Sequence, residues 1–314
     1  MDFPIAEFMD QDACYTRIVA LLHPGGLICP RCGTGDRLKV HRRHRAPILD
    51  YRCEACGRVF NAFTGTEFHK THRTPSEILL ILRGIAQGTS TARLARELNR
   101  HRPHLLRLRH RLQALAKKAA DSSPLADDAA VEADEMYQDA GEKGRPHPDP
   151  EDPPRRRANK RPGHGNFAND RPPVVGVAGR DSGLLRARVV GRSDRATLEG
   201  FVTESAPAGV MVYTDESSSY AYLAGLGLGH AAVHHVAKEW ARDDDGGGIR
   251  EVHDNTLEGI WTGLRNYLRT FRGVSKHYLA QYVAIFLWSY NVKAVCDEFL
   301  QALMGTNAIT DCRT

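Results

Sequence analysis

The sequence lacks any long apolar run, so we expect no membrane-spanning helix. No stretch approaches the ~18 consecutive apolar residues that a transmembrane helix needs. The longest run, around Tyr282–Tyr290, predicts a buried helix instead. The first residues, MDFPIAEFMDQDACY, contain acids and no basic cluster, so we expect neither a secretory signal nor a transit peptide. The net charge of +5 over 314 residues is moderate, which permits nucleic-acid binding without requiring it.

Cysteine is scarce, with seven residues in the chain, but four of them form two C-x-x-C pairs. Twenty residues separate Cys29 and Cys32 from Cys53 and Cys56, a spacing typical of a structural four-thiolate Zn²⁺ site. Two disulfides or a chance pattern are the alternatives, and the missing secretory signal favours metal. The other cysteines are expected to be reduced thiols: Cys14, Cys296 and Cys312.

Basic residues in the amino-terminal third indicate contact with DNA. The run HRRHR at 41–45 lies between the cysteine pairs, on the expected outer hairpin of a zinc ribbon. An amino-terminal helix and this ribbon are predicted to make up residues 1–72. Residues 76–119 read as three helices with a break at 88–90, which resembles a helix-turn-helix domain over 73–121. A solvated loop and a helical linker with a charged outer face remain the alternatives. The candidate phosphate contacts are Arg42, Arg43, Arg45, His104, Arg107 and Arg111.

After a linker at 121–130, short β-like runs alternate with helical segments. This alternation predicts a mixed α/β sheet with flanking helices over 128–303, followed by a tail at 304–314. Lys276–Leu303 reads as one long, largely buried helix. Residues 141–172, rich in Pro and Arg, predict a flexible basic insertion between the first two strands. That insertion either contacts DNA or is a disordered surface loop.

Three acidic residues stand out by their positions. Asp134 lies inside the first strand of the α/β region, Asp215 directly follows a later apolar strand, and Glu258 begins an amphipathic helix. A carboxylate in a buried strand is costly unless it is paired or bound to metal. Three such oxygen ligands suit Mg²⁺ or Mn²⁺. Two of these ions would activate the attacking oxygen and stabilise the leaving oxygen in phosphoryl transfer.

Each acid also has an ordinary explanation. Asp215 could cap a helix, and Glu258 could be surface charge. Asp134 is flanked by Glu132 and Glu135, so its strand could be an exposed acidic edge. The order strand, strand, helix makes a common site the stronger prediction.

The motifs CPRCG, YRCEACGRVF and TGTEF precede VEADEMY, VYTDESSSY and VHDNTLEGIW, and HYLAQYVAIFLWSYN ends the series. In this order they resemble an insertion-sequence DDE transposase of the ISXO-like type. Such proteins join an amino-terminal zinc ribbon to an RNase H-like catalytic core. The resemblance runs from about Cys14 to Asn291, nearly the whole chain. The ribbon motifs alone are unspecific, whereas the ordered set of acidic motifs after a ribbon is specific.

The resemblance implies an RNase H-like core with a mixed five-stranded sheet, in which the acidic triad binds catalytic Mg²⁺ or Mn²⁺. His253 and Asn255 would shape the site or contact the scissile DNA. His235 matches a family histidine after the fifth strand, although an ordinary hydrogen-bonded histidine is the alternative. Trp261 is expected to pack its helix. The implied triad is Asp134, Asp215 and Glu258.

The implied activity is that of a transposase. It would bind the terminal inverted repeats of its element, nick double-stranded DNA to free a 3′-hydroxyl, and join that hydroxyl to target DNA. Bringing two DNA ends together implies a homodimer or higher oligomer. The expected location is the bacterial-type cytoplasm, at the nucleoid, with no membrane partner.

Three other functions remain open on the sequence. The first is a zinc-ribbon regulator that binds DNA and has a catalytically inactive core. The second is a nuclease of the same fold that cuts without strand transfer. The third is an interaction protein whose ribbon binds another protein.

Overall fold

The computed structural model describes residues 8–120, 125–143, 145, 151, 153, 155–158, 165–244 and 246–306. Two compact units divide the chain. The first contains residues 1–120 and 292–314, and the second contains residues 121–291. The sequence predicts that the α/β region extends to residue 303, whereas the second unit ends at residue 291.

The first unit begins with helix α1 (Gln11–Leu22), followed by a small antiparallel sheet. Strands β1 (Leu38–Arg45), β2 (Ile48–Cys53) and β3 (Val59–Asn61) pair in the order β1-β2-β3. The sheet has a small apolar cluster in which two of the buried residues are cysteines. A cluster of this size stabilises little by burial alone, so we expect a ligand at the cysteines to contribute to folding.

Four further helices complete the first unit: α2 (Pro75–Ala86), α3 (Thr91–Glu97), α4 (Arg102–Lys118) and α8 (Asp297–Met304). The side chains of Thr74 and Ser90 accept backbone N–H groups and so cap α2 and α3. Leucines at helical spacing on α4 are buried, as the apolar stripe predicts. Helix α8 packs against α4, α1 and α2.

The long helix predicted over 276–303 is two helices in the structure. Helix α7 (Lys276–Val292) ends just before Lys293, whose φ of +58° lies in the left-handed region. A residue with that φ cannot continue a right-handed helix. The apolar pattern continues across the break, because both helices bury apolar faces, so the sequence did not reveal it.

A mixed five-stranded sheet forms the second unit. Its strands are β4 (Ala130–Tyr137), β5 (Pro173–Gly179), β6 (Leu185–Val189), β7 (Met211–Thr214) and β8 (Gly229–Ala232). They lie in the order β6-β5-β4-β7-β8. Strand β5 runs antiparallel to both of its neighbours, whereas β4, β7 and β8 are mutually parallel. This order and these directions define an RNase H-like core, as predicted.

Helices cover both faces of this sheet. Helix α5 (Arg195–Ser205) packs on one face against Val131, Val175 and other residues. Helices α6 (Asn255–Arg269) and α7 pack on the opposite face against Met136, Val174 and Ala178. The side chains alternate between faces along each strand. Even-numbered residues of β4, including Asp134, therefore point towards α6. Among the described residues, no helix is both long and apolar enough to cross a membrane.

The insertion at 141–172 is held in place at both of its ends, which corrects the prediction of flexibility for the described part. Lys276, 5% exposed, lies 3.0 Å from both Glu142 and Asp170. Arg155 donates to Asp170 at 2.6 Å through its side chain and to Glu142 at 2.9 Å through its backbone. Much of the insertion lies outside the described residues. No local pattern in the sequence reveals this cluster, because Lys276 lies more than a hundred residues from Glu142, Arg155 and Asp170.

The Lys276 cluster predicts a pH-dependent contribution to stability. Burial disfavours the charged Glu142, but the Arg155 N–H and the Lys276 ammonium outweigh it and lower the pKa of Glu142 from 4.5 to about 2. A lowered carboxyl pKa stabilises the fold above the unfolded-state pKa, and this contribution is lost as pH falls through about 2. We expect Glu142→Gln to destabilise the second unit by about 3–5 kcal/mol at pH 7.

The measurement is urea unfolding followed by tryptophan fluorescence, since all three tryptophans lie in the second unit. The difference between wild type and variant should shrink from pH 4.5 towards pH 2. The matched control is Glu204→Gln, because Glu204 pairs with Arg188 at the surface and such pairs contribute only about 0–1 kcal/mol. Equal effects of the two substitutions at pH 7 would contradict the role of the cluster.

Candidate active site and candidate zinc centre

The two cysteine pairs form matching turns in the ribbon. Gly33 donates its N–H to the Cys29 carbonyl at 2.9 Å, and Gly57 donates to the Cys53 carbonyl at 2.8 Å. Both glycines have positive φ, +77° and +74°, a conformation that glycine adopts at little cost. The four thiol sulfurs converge within 4.8 Å of one another: Cys29, Cys32, Cys53 and Cys56.

The spacing of these sulfurs fits a tetrahedral metal ion. Cys29 Sγ lies 3.6 Å from Cys56 Sγ, and Cys32 Sγ lies 3.5 Å from Cys53 Sγ. Zn–S bonds of about 2.3 Å in a tetrahedron place sulfurs ~3.8 Å apart. The Thr34 N–H and hydroxyl lower the pKa of the Cys32 thiol, which favours the thiolate that metals require. All four cysteines are free in the structure, so the disulfide alternative is not adopted.

Asp134 lies on β4, the central strand, and points towards α6. The indole N–H of Trp261 donates to its Oδ2 at 2.8 Å, so Trp261 positions the carboxylate as well as packing the helix. Burial, then the charges of Glu135 and Asp215, raise the pKa of Asp134 to about 7, although the Trp261 bond opposes them. Burial and neighbouring negative charge both disfavour the ionised carboxylate of Asp134, and a bound cation would favour it.

Asp215 follows β7, the parallel neighbour of β4. The last pair between these strands is Glu132 with Tyr213, so Asp134 and Asp215 each lie two residues beyond it. Parallel strands present their carboxyl ends at the same edge of a sheet. Burial, followed by the charges of Asp254 and Glu216, raises the pKa of Asp215. Its Oδ1 also accepts the Ser217 N–H at 3.0 Å, a local turn bond, and the cap of the short helix that follows is Ser217 rather than Asp215.

Glu258 lies in the first turn of α6, with its side chain exposed. It groups with His235 and Asp254, and the ligand atoms of these three residues lie within 4.8 Å of one another. Asp254 precedes α6 but makes no capping hydrogen bond, and its Oδ2 lies 3.3 Å from His235 Nε2. Nothing in the local sequence distinguishes Asp254, because an acid just before a helix ordinarily indicates a cap.

Glu132 fixes the amino terminus of α6 against β4. Its buried carboxylate, 0% exposed, accepts the Leu257 N–H at 3.1 Å and the Thr256 hydroxyl at 2.8 Å. Arg180 donates to the same carboxylate at 3.0 Å, and its guanidinium lies 3.9 Å from the centre of the Tyr213 ring. The exposed acidic edge considered from the sequence is therefore wrong for β4, since Glu132 is fully buried.

His253 belongs to the Glu132 network. Its Nδ1 lies 3.3 Å from Glu132 Oε1 and 3.2 Å from the Arg180 guanidinium. Burial, then the Arg180 charge, lower the pKa of His253 and favour the neutral imidazole. Asn255 is exposed at the first residue of α6. The two residues thus lie in different surroundings, His253 against the sheet and Asn255 at the surface.

The predicted DNA contacts lie on two elements of the first unit. Arg42 and Arg43 are exposed on β1, while Arg45 is partly buried and donates to the Thr71 carbonyl at 2.9 Å. His104, Arg107 and Arg111 are exposed on α4, and Arg111 also pairs with Glu67 at 2.7 Å. Arg45 therefore has a structural contact that the pattern of charges did not reveal.

A basic groove of about 320 Å³ lies in the second unit. It begins at Tyr137, the last residue of β4, three residues beyond Asp134. Arginines from the insertion and from α6 contribute to its lining: Arg171, Arg265 and Arg269.

Comparison with known proteins places these features in a family. The model of the ISXO2-like transposase domain matches residues 125–291, more than half of the chain. A relative described as an uncharacterized protein in transposable element ISH50 of Halobacterium salinarum is 27% identical over 286 residues. That alignment covers 90% of this chain and 92% of the relative.

Solved structures show weaker similarity. The magnesium complex of the HTLV-2 integrase catalytic core domain (dimeric form) is 10% identical, covers 53% of this chain and 86% of that chain, and has a TM-score of 0.30. A pre-cleavage Mos1 transpososome is also 10% identical, with coverages of 68% and 77% and a TM-score of 0.20. TM-scores this low do not establish a common fold, so the fold assignment depends on the strand order and directions.

Gly176 on β5 provides a test of how Trp261 is positioned. A Cβ at Gly176 would lie 2.5 Å from the Trp261 ring, so the indole must move if any side chain is added. We expect Gly176→Ala to destabilise the second unit by about 1–3 kcal/mol and to displace the ring from Asp134. Urea unfolding gives the first effect, and a shift in tryptophan emission gives the second.

The matched control is Gly200→Ala. Gly200 lies inside α5, and a Cβ there meets nothing within 4 Å. Because alanine favours helix, we expect this change to stabilise by about 0.5–1 kcal/mol. If both substitutions stabilise the protein, the close contact between Gly176 and Trp261 is wrong.

Proposed function

Because this chain belongs to the ISXO2-like transposase family, we propose that it is a DDE transposase that cuts and joins DNA at the ends of its own insertion sequence. The observation that carries this proposal is the pair of carboxylates on adjacent parallel strands. Asp134 and Asp215 lie at equivalent positions beyond the last pair between β4 and β7, and burial, together with the charges of Glu135 and Asp215, raises the pKa of Asp134. Such a pair suits divalent cations.

In this proposal the acidic triad holds Mg²⁺ or Mn²⁺. When bound, these cations would activate the attacking oxygen and stabilise the leaving oxygen of an in-line phosphoryl transfer. Trp261 orients the carboxylate of Asp134 through its indole N–H. Glu132 sets the position of Glu258, because it holds the first turn of α6 against β4. The triad is Asp134, Asp215 and Glu258.

The reaction proceeds in two steps on this proposal. Water first attacks the phosphodiester at the end of the element, which breaks the P–O3′ bond and frees a 3′-hydroxyl. That hydroxyl then attacks a phosphodiester of target DNA, displaces its 3′-oxygen and joins the two DNAs. Both steps exchange one P–O bond for another and need no external energy source. A homodimer or higher oligomer would bring the two DNA ends together.

The first unit would recognise DNA. We assign a structural Zn²⁺ to the four cysteines of the ribbon, since their sulfurs fit its tetrahedral geometry. Exposed arginines on β1 and α4 would contact phosphates of the terminal inverted repeats. The basic groove beside β4 would bind phosphates close to the cut, because it begins three residues beyond Asp134.

The proposal predicts that removing a triad carboxylate abolishes cleavage without abolishing DNA binding. We expect Asp134→Asn, Asp215→Asn and Glu258→Gln each to lower the rate of cleavage by about 10³-fold or more. The substrate is duplex DNA carrying the inverted repeats that flank the gene, with Mg²⁺ or Mn²⁺ present. Binding to the same duplex is measured in parallel by fluorescence anisotropy.

Glu199→Gln is the control, because Glu199 lies on α5, on the opposite face of the sheet from Asp134. It should cleave as the wild type does. Retained cleavage in Asp134→Asn would remove that residue from the mechanism. Nicked products without joined products would identify a nuclease, and binding without cleavage by the wild type would identify a regulator.

The proposed DNA face predicts a change in salt dependence. Arg107 is exposed on α4, and loss of one phosphate contact lowers the slope of log K against log salt by about 0.9. We expect Arg107→Gln to reduce the magnitude of this slope by about 0.9 and to weaken DNA binding. Arg188→Gln is the control, because Glu204 already neutralises Arg188 at 2.7 Å. An unchanged slope in Arg107→Gln would exclude Arg107 from the phosphate contacts.

A further inference from the structure

A group of three ligand-type side chains lies at the amino terminus of α6. His235, Asp254 and Glu258 come from a short helical turn, the residue before α6 and the first turn of α6. Each offers an atom within 4.8 Å of the others. His235 Nε2 and Asp254 Oδ2 lie 3.3 Å apart. This spacing suits adjacent ligands of one cation, because metal–N and metal–O bonds of about 2.0–2.2 Å place such ligands near 3 Å apart.

One carboxylate oxygen of Asp254 lacks a hydrogen-bond partner among the described residues. Its side chain is 2% exposed, and its Oδ1 is buried with no hydrogen-bond partner among the described residues. The other oxygen, Oδ2, lies 3.3 Å from His235 Nε2. A simple pair with His235 would leave Oδ1 unpartnered, and a buried carboxylate oxygen without a partner is costly. A cation at Asp254 would remove this cost.

His235 is held close to the same point by its surroundings. Its backbone N–H donates to Glu216 at 2.8 Å, and its ring lies 5.0 Å from the Trp240 ring, centre to centre. Its Nδ1 is buried and has no hydrogen-bond partner among the described residues. A neutral imidazole carries a lone pair on one ring nitrogen, Nδ1 or Nε2 according to the tautomer, and can offer it to a cation.

We propose that His235, Asp254 and Glu258 together bind one divalent cation, and that this site prefers Mn²⁺ to Mg²⁺. Imidazole nitrogen suits first-row transition metals, whereas Mg²⁺ prefers ligands that are all oxygen. The inference rests on the proposed function in one respect, since Glu258 is shared with the catalytic triad. His235 and Asp254 lie outside that triad and give the site its nitrogen ligand and its buried charge.

Pulsed electron paramagnetic resonance of bound Mn²⁺ tests the site, because a coordinated imidazole adds a ¹⁴N modulation to the signal. The full chain is first saturated with Zn²⁺, washed and then titrated with Mn²⁺. We expect the modulation in the wild type and in His234→Gln, and its loss in His235→Gln. His234 is the matched control, since it is the exposed neighbour of His235 and lies outside the ligand group. Absence of the modulation in the wild type, or its survival in His235→Gln, would overturn the proposal.

Asp254→Asn gives a second readout that does not depend on spectroscopy. Binding to the folded state stabilises it by an amount that grows with the logarithm of ligand concentration over Kd, and so raises Tm. We expect Asp254→Asn to weaken Mn²⁺ binding more than about 10-fold and so to reduce the rise in Tm that Mn²⁺ produces. A full Mn²⁺-dependent rise in this variant would overturn the role of Asp254.

Cleavage of the flanking-repeat duplex in Mg²⁺, measured on the same samples, separates this inference from the proposed function. Cleavage by a wild type that shows no ¹⁴N modulation overturns the mixed-ligand site and leaves the transposase proposal standing. Modulation without cleavage supports the site and contradicts the transposase proposal.

Discussion

The buried carboxylate of Glu132 is the contact on which the geometry of the candidate site depends. It lies on the central strand of the sheet and accepts hydrogen bonds from the first turn of α6 and from Arg180. A buried charge is tolerated only when its partners are complete. The requirement for those partners fixes α6 at one height along β4. Glu258, one residue beyond Leu257, is fixed with it.

The same face of β4 carries Glu132, Asp134 and Met136, and each interacts with the helices packed on that face. The close approach of Trp261 to Gly176 sets the distance between helix and sheet. The indole is thereby placed to donate to Asp134. A second buried network, around Lys276, joins the start of α7 to both ends of the insertion. Charged groups therefore set the position of both helices on this face, and apolar packing alone would leave their register less defined.

The two units depend on different interactions. The RNase H-like unit buries apolar side chains on both faces of its sheet. The ribbon has a small apolar cluster that includes cysteines expected to bind Zn²⁺. Its stability would therefore depend on bound metal. A transposase with this architecture would combine a ribbon stabilised by zinc with a core stabilised by apolar packing and buried ion pairs.

The sequence by itself determined the features that depend on local spacing. Residues close together in the chain determine three of these features: the C-x-x-C turns, the capped helices α2 and α3, and the alternation of strands with helices. It also identified Asp134, Asp215 and Glu258 as candidates, from their places at a strand, a strand end and a helix start. Their catalytic role stays a prediction.

Only the tertiary structure decided the partners of buried charges. Glu132 was considered as part of an exposed acidic edge, and Asp254 was not singled out, because the identity of a carboxylate does not reveal its burial. Their partners Arg180 and His235 lie 48 and 19 residues away, respectively. Lys276 meets Asp170 across more than a hundred residues. Such contacts form when separate elements pack together, so no local pattern records them.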